Sequence, residues 1–194
     1  GERSRPRFDL SPLIQFADWS ELARLRADAR SAGIEGLMLK RWESPYIAGR
    51  VKGHWFKWKR DALTIVAVLM YAQRGHGKRS SFYSDFTFGC WRPMVDDTGA
   101  PGRELVPVGK AYSGFTDEEL RKLDRWVRNN TVERFGPVRV LSPALVAEFE
   151  FDSVHESTRH KSGLALRFPR FHRIRWDKPA NEADEVETLK KLMN

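Results

Sequence analysis

Residues 55 to 61 read Trp-Phe-Lys-Trp-Lys-Arg-Asp, with apolar and cationic side chains in alternation. A period of two is that of a strand, so Lys57 and Lys59 share one face while Phe56 and Trp58 share the other. Upstream, the spacing changes to that of a helix. From Trp19 to Ala32, Leu22, Leu25 and Ala29 form a stripe, Ser20 is placed to cap, Glu21 sits in the first turn and Gly33 ends the run. Glu35 to Lys40 predicts a short strand with Gly36 near its start, and Ser44 to His54 a loop rich in glycine and basic residues. Phe8 to Phe16 is an apolar run broken by Pro12, and Gly1 to Arg7 is basic and irregular.

Past Asp61 the pattern becomes that of a second domain. Thr64 to Tyr71 is apolar and β-branched, a buried strand. Phe82 to Trp91 predicts a second strand, with Phe82, Ser84, Phe86 and Phe88 on one face. Glu104 to Ser113 predicts a third, after a turn at Asp96 to Gly99. Thr116 followed by Glu119 is a capping box that opens a helix running to about residue 129. Leu145 to Val154 and Leu164 to Phe168 read as strands four and five, and Asn181 to Met193 as a C-terminal helix. Five strands with a helix between the third and fourth give a mainly β, α+β chain whose second domain follows the order of an OB-fold, a five-stranded Greek-key barrel. An SH3-like barrel is the alternative; the inserted helix favours the OB order. The turn from Gln73 to Ser81 holds Gly75-His76-Gly77-Lys78, but Ala72 and Arg79 occupy positions where a phosphate loop needs Gly and Ser or Thr, so it reads as a basic hairpin turn.

Composition narrows the partners. The 194 residues carry 34 Lys and Arg against 26 Asp and Glu, a net charge of +8, together with seven Trp and twelve Phe. That excess favours nucleic acid over an acidic protein. The single cysteine, Cys90, excludes an internal disulfide framework and a Cys-rich zinc site, and fits a reducing compartment. No run of about 18 apolar residues occurs and no apolar leader opens the chain, so a cytoplasmic protein with no membrane partner is expected. The start without Met is expected of a piece of a longer polypeptide.

Two stretches carry candidate chemistry. If the strand opened by Glu35 lies beside the strand of Lys57 and Lys59, a carboxylate meets two ammonium groups, which is what a metal–nucleotide site requires. The same residues also describe an edge strand guarded by lysines and a carboxylate exposed at a strand end. From His155 to Lys178, Arg159, Lys161, Arg167, Arg170, Arg173, Arg175 and Lys178 face only Glu156 and Asp177, with Phe168, Phe171 and Trp176 between them. Cations interleaved with aromatics suit a surface that tracks a nucleic-acid backbone; a solvated basic rim is the other reading. His160 and His172 read as ordinary surface or packing histidines.

Three segments now carry a resemblance: Glu35-Gly36-Leu37-Met38-Leu39-Lys40, Trp55 to Asp61, and Leu166-Arg167-Phe168-Pro169-Arg170-Phe171 with Arg175-Trp176-Asp177-Lys178. In residues and in order they resemble the last three nucleotidyltransferase motifs of ATP-dependent DNA ligases of the bacterial type. The resemblance implies that residues 1–61 are the C-terminal part of an adenylation domain and 62–194 an OB-fold domain. It implies that Glu35 binds Mg²⁺ or Mn²⁺, that Lys57 and Lys59 contact the α-phosphate of ATP, and that Arg175, Asp177 and Lys178 orient the pyrophosphate. Asp61 would be the hinge; Lys161, Arg167, Arg170 and Arg173 would contact DNA. The implied reaction seals a 5′-phosphate/3′-hydroxyl nick in duplex DNA through enzyme–AMP and DNA-adenylate. A monomer with DNA-repair protein partners is expected.

The family's nucleophilic lysine lies in a K-x-D-G motif, and no lysine here has that context: Lys40 precedes Arg-Trp-Glu, Lys59 precedes Arg-Asp-Ala and Lys161 precedes Ser-Gly-Leu. The chain alone is therefore expected not to adenylate itself. A non-catalytic OB-fold nucleic-acid-binding module is the alternative. Such a module needs the basic stretch but has no use for Glu35 or for Arg175, Asp177 and Lys178.

Overall fold

A computed structural model describes residues 10–77 and 80–193 of the chain. The basic segment expected at Gly1 to Arg7, and Lys78 and Arg79 of the expected turn, lie outside the described residues. The chain divides into two compact units, Gly1–Asp61 and Ala62–Asn194.

The first unit is small. Helix α1 (Trp19–Ala27) is capped by Asp18, whose carboxylate accepts the Glu21 N–H, and not by Ser20. Asp18 holds the extended backbone of an N-cap, which leaves Ser20 inside the first turn. The helix tightens into a 3-10 turn at Asp28–Arg30, so it is shorter than the stripe predicts. Strands β1 (Gly36–Lys40) and β2 (Trp55–Lys59) then pair antiparallel. Leu22, Ala29 and Leu37 are buried, and the Trp19 ring packs edge-on to Trp58 at 6.3 Å. Among the described residues of this unit, Leu13, Trp19, Trp42, Tyr46 and Phe56 leave large apolar surfaces exposed.

The second unit is built on a long, twisted sheet. Strands β3 (Leu63–Arg74), β4 (Tyr83–Val95) and β5 (Pro101–Ala111) form a meander. The capping box at Thr116 and Glu119 opens α2 (Asp117–Asn130) as expected. A hairpin that the sequence reading left out follows: β6 (Thr131–Phe135) and β7 (Val138–Leu141), turning at Gly136 and Pro137. Then β8 (Val146–Phe151) pairs with β3, and β11 (Arg170–Arg175) with β8, giving the order β11-β8-β3-β4-β5.

Two expectations need correction. The fourth strand breaks at Asp152, so its end becomes β9 (Ser153–Glu156), which forms a separate hairpin with β10 (Leu164–Arg167). The fifth barrel strand is β11 rather than the segment from Leu164 to Phe168. The expected C-terminal helix is also interrupted: between a 3-10 turn at Ala180–Glu182 and the short α3 (Val186–Lys190), extended Ala183 and Glu185 flank Asp184. That residue is stitched to β3, its carboxylate accepting the Val66 N–H at 2.8 Å and its own N–H donating to the Val66 carbonyl at 2.9 Å. A backbone satisfied by a strand edge cannot also be helical.

The barrel core is aromatic. Phe88 stacks on Phe149 at 3.7 Å, and Phe171 meets Phe86, Phe115 and Phe149 at 4.6–5.5 Å. The Phe171 N–H also donates to the Ser113 carbonyl at 2.8 Å, joining the end of β5 to β11. Gly114 makes that approach possible: its φ is +96°, and a Cβ there would collide with the Phe171 carbonyl. Among the described residues no helix is long and apolar enough to cross a membrane.

Candidate functional site

In the first unit the register decides which side chains meet. Gly36 faces Lys59 and Met38 faces Lys57 across the pair. Opposed residues in an antiparallel ladder point to the same side, so both lysines lie on the Gly36 and Met38 face. One more backbone bond, from the Arg60 N–H to the Glu35 carbonyl at 3.0 Å, fixes Glu35 at the end of the ladder. Glu35, Lys57 and Lys59 border one open cavity of about 150 Å³ with Gly36, Leu37 and Met38. Gly36 has φ +139°, and a Cβ there would collide with the Trp58 carbonyl and sit 2.7 Å from the Lys59 Cα. The Glu-Gly pair therefore has a steric reason: only glycine lets the strand carrying the carboxylate approach the strand carrying the lysines.

Asp61 closes this unit. Its carboxylate accepts from the Arg26 guanidinium, its carbonyl accepts from Arg30 at 2.9 Å, and Arg26 also donates to the Lys59 carbonyl at 2.7 Å. Helix α1 thus holds both the lysine strand and the residue that ends it. The sequence reading missed Arg26 and Arg30, which lie more than thirty residues from Asp61 along the chain.

In the second unit the basic stretch turns out to be largely neutralised. Strand β8 reads Val-Ala-Glu-Phe-Glu-Phe, so Glu148 and Glu150 leave the core face to Phe149 and Phe151 and meet the arginines of β11. Arg170 pairs with Glu150 at 2.9 Å and Asp152 at 3.4 Å. Arg175 grips Asp177 with two bonds of 2.8 and 3.0 Å and reaches Glu148 at 2.9 Å. The paired guanidinium holds the Asp177 carboxyl at a pKa of about 2, and its two carboxylates push Arg175 above its ordinary value. Lys178 pairs with Glu182 at 3.3 Å. Lys161 and Arg92 share Glu104, which they hold below the usual carboxylate range. Arg173 is exposed, and Arg167 lies over the Phe168 ring at 5.1 Å. His172 bonds to Glu150 and His160 to Ser157.

Phe168, between Arg167 and Pro169, has φ +52° and is half exposed. A non-glycine residue in the left-handed region costs on the order of 1–2 kcal/mol. The strain lets β10 end and β11 start within three residues, which aims Arg167 and Arg170 differently.

Strand order and inserted helix define the second unit as an OB-fold barrel, and the hairpin before it as a carboxylate and two lysines around a cavity. Residues 79–178 match the family model described as ATP dependent DNA ligase C terminal region. The chain belongs to that family. It is 42% identical over 182 residues to a probable DNA ligase of Koribacter versatilis, covering 94% of this chain and 30% of that protein. It is 37% identical over 186 residues to a DNA ligase of Archaeoglobus fulgidus, covering 96% and 32%. The chain thus spans about a third of these relatives. In fold it resembles the ligase domain of M. tuberculosis LigD, with a TM-score of 0.51 at 24% identity, covering 83% of this chain and 50% of that one. It also resembles Pmar-Lig, with a TM-score of 0.57 at 21% identity, covering 82% and 31%.

Proposed function

We propose that this chain is the C-terminal part of an ATP-dependent DNA ligase that seals 5′-phosphate/3′-hydroxyl nicks in duplex DNA. The observation that carries the reading is the shared cavity of Glu35, Lys57 and Lys59, formed by a register that only Gly36 permits. The first unit is then the last portion of an adenylation domain. Its exposed Leu13, Trp19, Trp42, Tyr46 and Phe56 support this, because a two-stranded sheet with, among the described residues, three buried apolar side chains is marginal by itself.

In this reading a lysine upstream of the chain attacks the α-phosphorus of ATP. A P–N bond forms, the bond to the β-phosphate oxygen breaks and pyrophosphate leaves. Lys57 and Lys59 hold the α-phosphate oxygens, where two point charges offset charge in the transition state. Glu35 would hold Mg²⁺ or Mn²⁺, since one carboxylate with phosphate oxygens and waters is an ordinary set for Mg²⁺. The ion supplies charge neutralisation at the phosphate. Arg175, Asp177 and Lys178 orient the pyrophosphate, exchanging Glu148 and Glu182 for phosphate oxygens, and Asp61 is the pivot. In the next step a 5′-phosphate oxygen attacks the AMP phosphorus and breaks the P–N bond. The 3′-hydroxyl then attacks the 5′-phosphate and releases AMP. Arg167 and Arg173 have the exposure to reach DNA; Arg170 and Lys161 reach it only by leaving their carboxylates.

Nick sealing tests this. The longest polypeptide encoded with this chain, given ATP and Mg²⁺, is expected to join a duplex nick bearing a 5′-phosphate and to leave the same nick with a 5′-hydroxyl open. Failure on both substrates, with the protein folded, would sink the reading.

A further inference from the structure

Within the second unit, a second cluster of positive charge stands apart from the ion-paired strands β8 and β11. The guanidinium carbons of Arg74, Arg128 and Arg139 all lie 5.4–5.8 Å from the centre of the Tyr83 ring. They come from three elements: the end of β3, the last turn of α2, and β7. Arg74 and Arg128 converge on one acceptor, the Ser81 carbonyl, at 3.5 and 3.4 Å. Arg134 is added by register, because it sits directly opposite Arg139 in the β6–β7 pair.

Two features separate this cluster from an ordinary basic surface. Like charges directly opposite in a ladder are destabilising, so the Arg134–Arg139 pair works against its own hairpin. Counter-charge is also scarce. Asp124 pairs with Arg128 and accepts the Tyr83 N–H. Among the described residues, neither Arg74 nor Arg139 is ion-paired to a carboxylate. In the ladder of β8 and β11, by contrast, Arg170 and Arg175 each have two carboxylates. Tyr83 itself is buried, and its ring faces a cation on several sides, which fixes the guanidinium positions without cancelling their charge. Arg74, Arg128 and Arg134 are exposed, and Arg139 is half-buried, its guanidinium held by the Gly136 and Val138 carbonyls at 2.9 and 3.3 Å. Fixed planar donors around one point match the oxygens of adjacent phosphodiesters.

We infer that Arg74, Arg128, Arg134 and Arg139 form a phosphate-backbone site for duplex DNA, a contact surface additional to Arg167 and Arg173. The inference rests on the nicked-DNA reading above and adds to it where the OB barrel grips the duplex. A site built on phosphates reads no base sequence and responds steeply to salt.

The test is equilibrium binding of the 194-residue chain to a nicked duplex over a salt series. Each lost phosphate contact lowers the slope of log K against log salt by about 0.9. The Arg74→Ala/Arg139→Ala variant is expected to lower the slope by about 2 and to raise Kd at least tenfold near 0.1 M salt, with Arg74→Lys/Arg139→Lys keeping the slope. Arg128 is left in place because it orients Asp124. Should the double alanine variant fold poorly, Arg74→Glu alone, at an exposed strand end, is expected to weaken binding severalfold. A wild-type chain that binds while these folded variants keep its Kd and slope overturns the inference and leaves the ligase reading standing. A wild-type chain with no affinity for the duplex overturns both.

Discussion

Lys57→Ala, made in the longest polypeptide that carries this chain, is expected to slow transfer of AMP from ATP to the protein by 100- to 1000-fold. That is the usual cost of deleting one positioned donor at a reacting oxygen, about 3–4 kcal/mol of transition-state stabilisation. Lys59→Ala is expected to do the same, because Lys57 and Lys59 border the same cavity from alternate positions of one strand. Both side chains stand on the open face of β2, so neither change removes core packing and the melting temperature should stay within a degree or two. Lys→Arg should recover little, since a planar fork cannot take the place of a point charge between two strands. A rate unchanged by both substitutions would assign the lysines to solubility and edge protection.

Gly36→Ala is expected to damage the same step by a different route. At φ +139° the residue occupies a region that side chains avoid, and the added methyl would meet the Trp58 carbonyl and the Lys59 Cα. The strain is on the order of 3 kcal/mol, the upper end for a residue forced into such a conformation. Among the described residues the β1–β2 pair has no third strand to absorb it, so the register that brings Glu35 to Lys59 should be lost. Hydrogen exchange should report this locally. Amides of β1 and β2 should lose protection while those of β3, β4 and β8 keep theirs, because the barrel has its own core. Protection retained in β1 would show that the backbone accommodates the methyl and that Gly36 has no steric role.

Much of this arrangement was legible in the residues. The alternation of Trp55 to Lys59, the glycine after Glu35 and the capping box at Thr116 each state a local geometry that the fold adopts. What escaped depends on pairing. Strand β11 did not read as a strand because its buried residues, Phe171 and Ile174, are three apart; a bulge between Phe171 and Arg173 breaks the period of two. The hairpin of β6 and β7 is short and mostly exposed, so it carries almost no hydrophobic signal. Asp184 fitted a helix until its carboxylate met the Val66 amide.

The candidate site divides the same way. Residue types named Glu35, Lys57 and Lys59, since a strand's faces follow from its sequence. They could not show that Arg170 and Arg175 are each held by two carboxylates, although the acidic positions of β8, Glu148 and Glu150, lie on one face and were available as a signal. Nor could they show that Arg74, Arg128 and Arg139, spread over 66 residues, converge on one tyrosine.

The central claim is that this chain supplies phosphate-holding lysines and an OB barrel to a nucleophile carried elsewhere in the protein. It is tested most directly by incubation with α-³²P-ATP and Mg²⁺ followed by denaturing electrophoresis, on this chain and on the longest polypeptide that contains it. The expected result is label on the longer polypeptide and none on the 194 residues. Label on neither would remove the catalytic reading, and label on the 194 residues would place the nucleophile among lysines to which no such role has been given.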